Sequence, residues 1–236
     1  MTADPLDDLR ARVDPTVPAV VFASMSLAHD AARSAARVPV EMFRPIERGM
    51  LEDVVAPGRV VVIIDGAFHS RRAVAPYEIM SAMRAGALVL GASSMGALRA
   101  AELAEFGMMG VGEVYRLYRT GEITSDAEVA LLFDPTTGQA LTEPLVNVRY
   151  ALDRLGRAGV LPPDAVGAAV GVATGIHYHD LTYETLFRRL EGVLPPDVLG
   201  RARAYLHDHA DEVNLKRLDA LAAIDCLNSL YPHLEG

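Results

Sequence analysis

The sequence has one cysteine, Cys226, in 236 residues, which excludes an intramolecular disulfide and a Cys-Cys zinc site. It also has no block of Lys or Arg. With 22 basic against 31 acidic side chains and a net charge of −9, it offers nothing that would follow a phosphate backbone, so nucleic acid is not an expected partner. A cationic partner is electrostatically easier. No apolar run approaches the roughly 20 residues that cross a bilayer, and no membrane partner is expected. The opening "MTADPLDDLRARVDP" lacks a cationic start followed by an apolar stretch, so the expected location is cytoplasmic. There is no repeat of fixed period.

What is present is the composition of a globular chain able to bury a core: 51% apolar and 22% charged residues. Residues 1–17, acidic and bearing prolines, read as a solvated lead-in. "PAVVFASMS" predicts a first strand, "LAHDAARSAAR" a helix, and "VPVEMFRP" an edge-like extended segment limited by its prolines. In "RVVVIIDGAF", Val60 to Ile64 are β-branched without alternation, the mark of a strand covered on both faces in a parallel sheet. "YEIMSAMRAG" predicts a helix with Ile79, Met80 and Met83 at helical spacing and Gly86 as its stop, and "ALVLGA" predicts the next buried strand. The expected fold is α/β: a short, mostly parallel sheet flanked by helices over residues 18–155, then a helical C-terminal region over 156–236. "SDAEVALLF" is read as one of the later helices and "GMMGVGEVYRLY" as opening on a tight connection.

Parallel strands present ligand sites at their carboxyl ends. Two such ends are "DGAFH" and "GASSMG". In the second, Ser93 and Ser94 sit where a strand turns into a helix, and the free N–H groups of that helix start suit an anion or an oxyanion. "ASSMG" also resembles a nucleophile elbow, with Ser94 as nucleophile and the N–H of Met95 as an oxyanion donor beside Gly96. Simple helix capping by the serines is the third reading, and the pattern alone leaves all three open. His69, four residues after Asp65, is the one histidine read at another strand's end and the expected base. Glu78 and Glu102 could orient it or shuttle protons. Arg99 suits an anion or an ion pair. The His-x-His pairs in "HYHD" and "HDHAD" lack evident further ligands, so no metal is expected. Cys226 lies in an apolar helical pattern and is expected to be buried and inert.

The run "IDGAFHSRRAVAPYEIMSAMRAGALVLGASSMGALRAAELAEFGMMGVGEVYRLYRTGEI" resembles the core of the TfuA-like proteins. The motifs that carry the resemblance are Ile64-Asp65-Gly66, Gly91 to Glu102 and Phe106-Gly107-Met108, within residues 59–150. The resemblance implies a partner of YcaO enzymes in peptide backbone thioamidation, supplying sulfur from a thiocarboxylated ubiquitin-fold carrier for a precursor peptide, with no cofactor of its own. On the chemistry of the residues themselves, Ser94 with Ser93 would form the acyl or anion site, with Met95 and Gly96 beside it. His69 would be the acid/base, and Asp65, Glu78, Arg99 and Glu102 would position or balance the thiocarboxylate. The family's His-Lys-Glu run reads Pro76-Tyr77-Glu78 here, which leaves His69 as the nearer histidine. A non-catalytic adaptor that recruits and activates YcaO is the alternative.

Overall fold

Five short strands assemble one all-parallel sheet in the computed structural model, which describes residues 5–68, 72–134 and 139–231. After α1 (Pro5–Arg10), the chain runs through β1 (Ala19–Phe22), α2 (His29–Ala35), β2 (Val40–Phe43), β3 (Val60–Ile63), α3 (Pro76–Arg84), β4 (Leu88–Ala92), α4 (Met95–Leu103), β5 (Met109–Val111) and α5 (Glu113–Thr120). The strand order is β2-β1-β3-β4-β5. The fold is therefore α/β, as the unalternating Val and Ile runs predict. All residues of β1, β3 and β4 are buried because helices cover both faces.

One face packs Val21, Val60, Val62 and Leu90 against Ala32 of α2 and against Ala220, Ile224 and Leu227 of the last helix, α10 (Leu215–Ser229). The other packs Val20, Phe22, Val61, Ile63 and Val89 against Ile79 of α3 and Met95, Ala100 and Leu103 of α4. Within this unit the carboxylate of Asp219 closes the start of α5, its two oxygens accepting from the N–H groups of Glu113 at 2.8 Å and Val114 at 2.7 Å.

Two short segments depart from the sequence reading. "GMMGVG" is not merely a connection: Met109–Val111 is the edge strand β5, pairing Leu90 with Met109 and Ala92 with Val111. Three residues with a central glycine leave no readable strand pattern. "SDAEVALLF" is not a helix, and only Asp126–Glu128 form a 3₁₀ turn. Polar partners elsewhere in the fold take up this segment instead: the Arg149 guanidinium grips the Glu128 carboxylate through two 3.0 Å bonds, and Lys216 Nζ donates to the Val129 carbonyl.

The chain divides into two compact units, Met1–Thr124 with Asp219–Gly236, and Ser125–Leu218. The second unit is helical: α6 (Leu145–Arg157), α7 (Pro163–Thr174), α8 (Tyr183–Leu190) and α9 (Pro196–Asp208). Val148, Ala151, Leu152 and Leu155 form the buried stripe of α6 at the spacing of one helix face, and they pack with Leu161, Leu186 and Phe187. Prolines pre-set the first turns of α7 and α9, and Thr182 caps α8 by accepting from the N–H of Thr185.

Candidate functional site at the strand ends

The chain leaves β1 for β2 over one face of the sheet and returns through β3 to wind β4 and β5 over the other. The loops following β1 and β3 diverge at this reversal, where doubly wound sheets form a crevice for ligands. Asp65 stands there, fully buried. Its Oδ2 accepts from the N–H groups of Ser24 and Ser26, both at 2.9 Å, and its Oδ1 accepts the Ser26 hydroxyl at 2.6 Å. Asp65 thus fixes the loop after β1 onto the end of β3. Gly66 follows without a side chain because a Cβ there would strike Met95 Cγ at 2.8 Å, so the start of α4 rests directly on the Asp65 loop.

The turn from β4 into α4 is strained. Ser93 has φ +67, the one described residue other than glycine in the left-handed region. The N–H of Ser94 folds back onto the Ala92 carbonyl at 2.7 Å, closing a three-residue γ-turn around Ser93. Such backbones cost about 1–3 kcal/mol and concentrate at functional sites. The Ser93 hydroxyl is buried and makes no hydrogen bond. Ser94 is the N-cap residue of α4, with φ −127 and ψ −120, yet its side chain makes no capping bond. Capping therefore does not account for either hydroxyl. The turn is compact because β4 and α4 touch through glycines: Gly91 and Gly96 each lie against backbone that leaves no room for a Cβ.

The charged residues predicted for this site are engaged with the fold or with each other. Glu78 is buried, and its two oxygens accept from the N–H groups of Gly49 and Ala75, each at 2.6 Å, tying α3 to a neighbouring loop. Arg99 donates through Nε to the Val74 carbonyl at 2.9 Å and through Nη1 to Glu102 at 2.6 Å, so Arg99 and Glu102 form an ion pair on α4. His69 lies outside the described residues.

The sequence reading missed His29, placing no histidine but His69 at another strand's carboxyl end. His29 opens α2 just beyond β1, and its Nε2 lies 2.8 Å from the Ala23 carbonyl and 3.1 Å from the Phe43 carbonyl, at the ends of β1 and β2. Both partners are acceptors, so Nε2 carries the proton and a neutral ring keeps Nδ1 as an acceptor. The signal was available: "SMSLAH" is also the end of a predicted parallel strand. Elsewhere, Cys226 is half-buried rather than fully buried, and burial pushes its thiol above the usual range. The rings of His177, Tyr178 and His179 meet in tilted and edge-on pairs. Among the described residues no group of three or more His, Cys, Asp or Glu side chains is gathered as metal ligands, and no helix is long and apolar enough to cross a membrane.

The profile of the TfuA-like protein family matches residues 65–182, from the buried aspartate at the end of β3 through the serine turn and into the second unit. The chain belongs to the TfuA-like family. It is also similar to polyketide synthase GfsB of Streptomyces halstedii, at 36% identity over 147 residues, in a match that covers 52% of this chain and 3% of that protein. This TfuA-like chain therefore spans a small part of the length of that relative.

Proposed function

We propose that this chain, a member of a family associated with YcaO-dependent thioamidation, works with a YcaO enzyme on a peptide backbone. In this reading it releases sulfide from a thiocarboxylated ubiquitin-fold carrier at the Ser93–Ser94 turn. The observation that carries the proposal is the Ser93 turn: a strained backbone holding a buried hydroxyl with no partner, at the N-terminus of a nine-residue helix. Strain and an unmet hydrogen bond are both kept where a reacting group supplies the missing contact. The thiocarboxylate is an anion with an acyl carbon, and it meets both properties of a helix start, N–H donors and a favourable dipole.

The chemistry is acyl transfer to water. The water oxygen bonds to the acyl carbon, the C–S bond breaks, and sulfur departs as hydrosulfide with one of the water protons. The carrier is left as a carboxylic acid, which then ionises. With Ser94 as nucleophile the same balance runs in two steps through a serine ester, the hydroxyl proton leaving on sulfur. His69 is assigned the proton transfers, the N–H of Met95 the anion side, and Arg99 with Glu102 the charge balance; Gly96, predicted to share the anion side, instead gives its N–H to the Ile64 carbonyl at 3.3 Å.

The adaptor reading is favoured by a different observation. Asp65 and Glu78 are occupied by backbone N–H groups, and Ser93 and Ser94 are 0% and 2% exposed. Such a turn would need a partner to open it. Sulfide measured from a thiocarboxylated carrier with the purified chain separates the two, using Ser94→Ala, Ser93→Ala and His69→Ala variants. Release by the chain alone that Ser94→Ala abolishes supports the hydrolytic reading. Release that begins only when YcaO is added, at an equal rate for all variants, supports the adaptor.

A further inference from the structure

The amino ends of β4 and β5 carry a second feature that the serine turn does not use. Between α3 and the 3₁₀ turn Ala104–Phe106 lies a groove of about 270 Å³. Its walls are apolar and pliable: Met80 and Met83 from α3, Met109 from the start of β5, and Phe106, which is 61% exposed. Arg12 and Arg84, both exposed, also line it, and neither guanidinium is in an ion pair or hydrogen bond with any described residue. On a chain of net charge −9, two guanidinium groups left without a carboxylate beside one apolar groove give that groove a positive rim.

We propose that this groove docks an acidic segment of a partner protein, one large apolar side chain entering between the methionines and Phe106 while carboxylates on either side pair with Arg12 and Arg84. A groove of about 270 Å³ has room for one large side chain. Unbranched methionine side chains repack around anchors of different shape. Guanidinium forks pair with carboxylates in two-point contacts, which supplies orientation as well as attraction. Because the strands are parallel, an occupant here sits at the opposite end of β4 from the serine turn and leaves that turn open. The inference does not depend on the sulfide-releasing reading.

Fluorescence anisotropy with a labelled octapeptide of glutamates around a central phenylalanine tests it on the full chain, alongside the same peptide with lysines in place of the glutamates. The acidic peptide is expected to bind and the lysine peptide not to bind. Arg12→Glu combined with Arg84→Glu should weaken binding at least tenfold without shifting the melting temperature, and Phe106→Ser, at an exposed side chain of the groove, should do the same. Equal binding of both peptides, no binding, or binding indifferent to the arginine reversals would overturn the proposal. Self-association of the chain that the reversals abolish, measured by analytical ultracentrifugation, would assign the groove to a second copy and overturn it equally.

Discussion

Gly91 of β4 and Gly96 of α4 meet backbone to backbone: a Cβ on Gly91 would lie 2.1 Å from the Gly96 carbonyl oxygen, and a Cβ on Gly96 would lie 1.7 Å from the Ile63 carbonyl oxygen. In both cases the obstacle is main chain within the sheet and its covering helix, which has no rotamer to give. Gly91→Ala and Gly96→Ala are each expected to cost about 3 kcal/mol or more. Urea denaturation reads this as a lower midpoint, and a midpoint within error of the parent would mean that α4 lifts off β4 freely.

Ser93 gives the opposite sign. A buried hydroxyl without a partner costs about 1–3 kcal/mol, so Ser93→Ala is expected to raise stability by about 1 kcal/mol while lowering sulfide release. Ser93→Gly should also tolerate the φ of +67. Loss of stability in both variants would mean that the hydroxyl has a partner in solution, which would remove the observation on which the site rests.

Glu78 spans two backbone donors with its two oxygens. Glu78→Gln keeps the shape but turns one acceptor into a donor facing an N–H, and is expected to cost about 1–3 kcal/mol in chemical denaturation. A variant of parental stability whose sulfide release has a displaced pH profile would place Glu78 in proton transfer instead.

Asp219 makes the unit's stability pH-dependent. Burial raises its carboxyl from 3.8 to about 6, against the opposing effect of the two N–H donors of Val114 and Glu113. A folded-state value above the unfolded one means that the protonated form favours folding. This contribution is fully present below about pH 4 and is lost as the pH rises through about 6. Asp219→Asn, which cannot ionise, should flatten the decline between those values when unfolding is followed across pH. A decline unchanged in the variant would assign it to another group.

The sheet was legible because its signal is chemical and continuous: Val60 to Ile64 admit few conformations other than a strand with both faces covered. β5 was not, since three residues around Gly110 owe their pairing to β4 rather than to their own preference. At the strand ends, the residues that could be named were those whose type suggests chemistry, Asp65 and the serine pair. What those residues do locally depends on distances that no spacing encodes. Asp65 spends its oxygens on Ser24 and Ser26, 41 and 39 positions away. In the pair Ser93-Ser94 the sequence distinguishes neither residue, and only the backbone assigns the γ-turn to the first. Likewise "SDAEVALLF" reads as helical until Arg149 and Lys216 claim Glu128 and the Val129 carbonyl.

The α/β unit is made of residues on either side of Ser125–Leu218, and Ala220, Ile224 and Leu227 cover one face of its sheet. During synthesis every strand leaves the ribosome well before the segment that shields Val60, Val62 and Leu90. For the time needed to translate roughly 110 residues, about 5–20 seconds at about 5–20 residues per second, the nascent sheet would leave much of this aliphatic face uncovered. Chaperone dependence in the cell should therefore track the interval between β5 and α10, and a circular permutant that places residues 219–231 ahead of β1 would be born with its cover already in place.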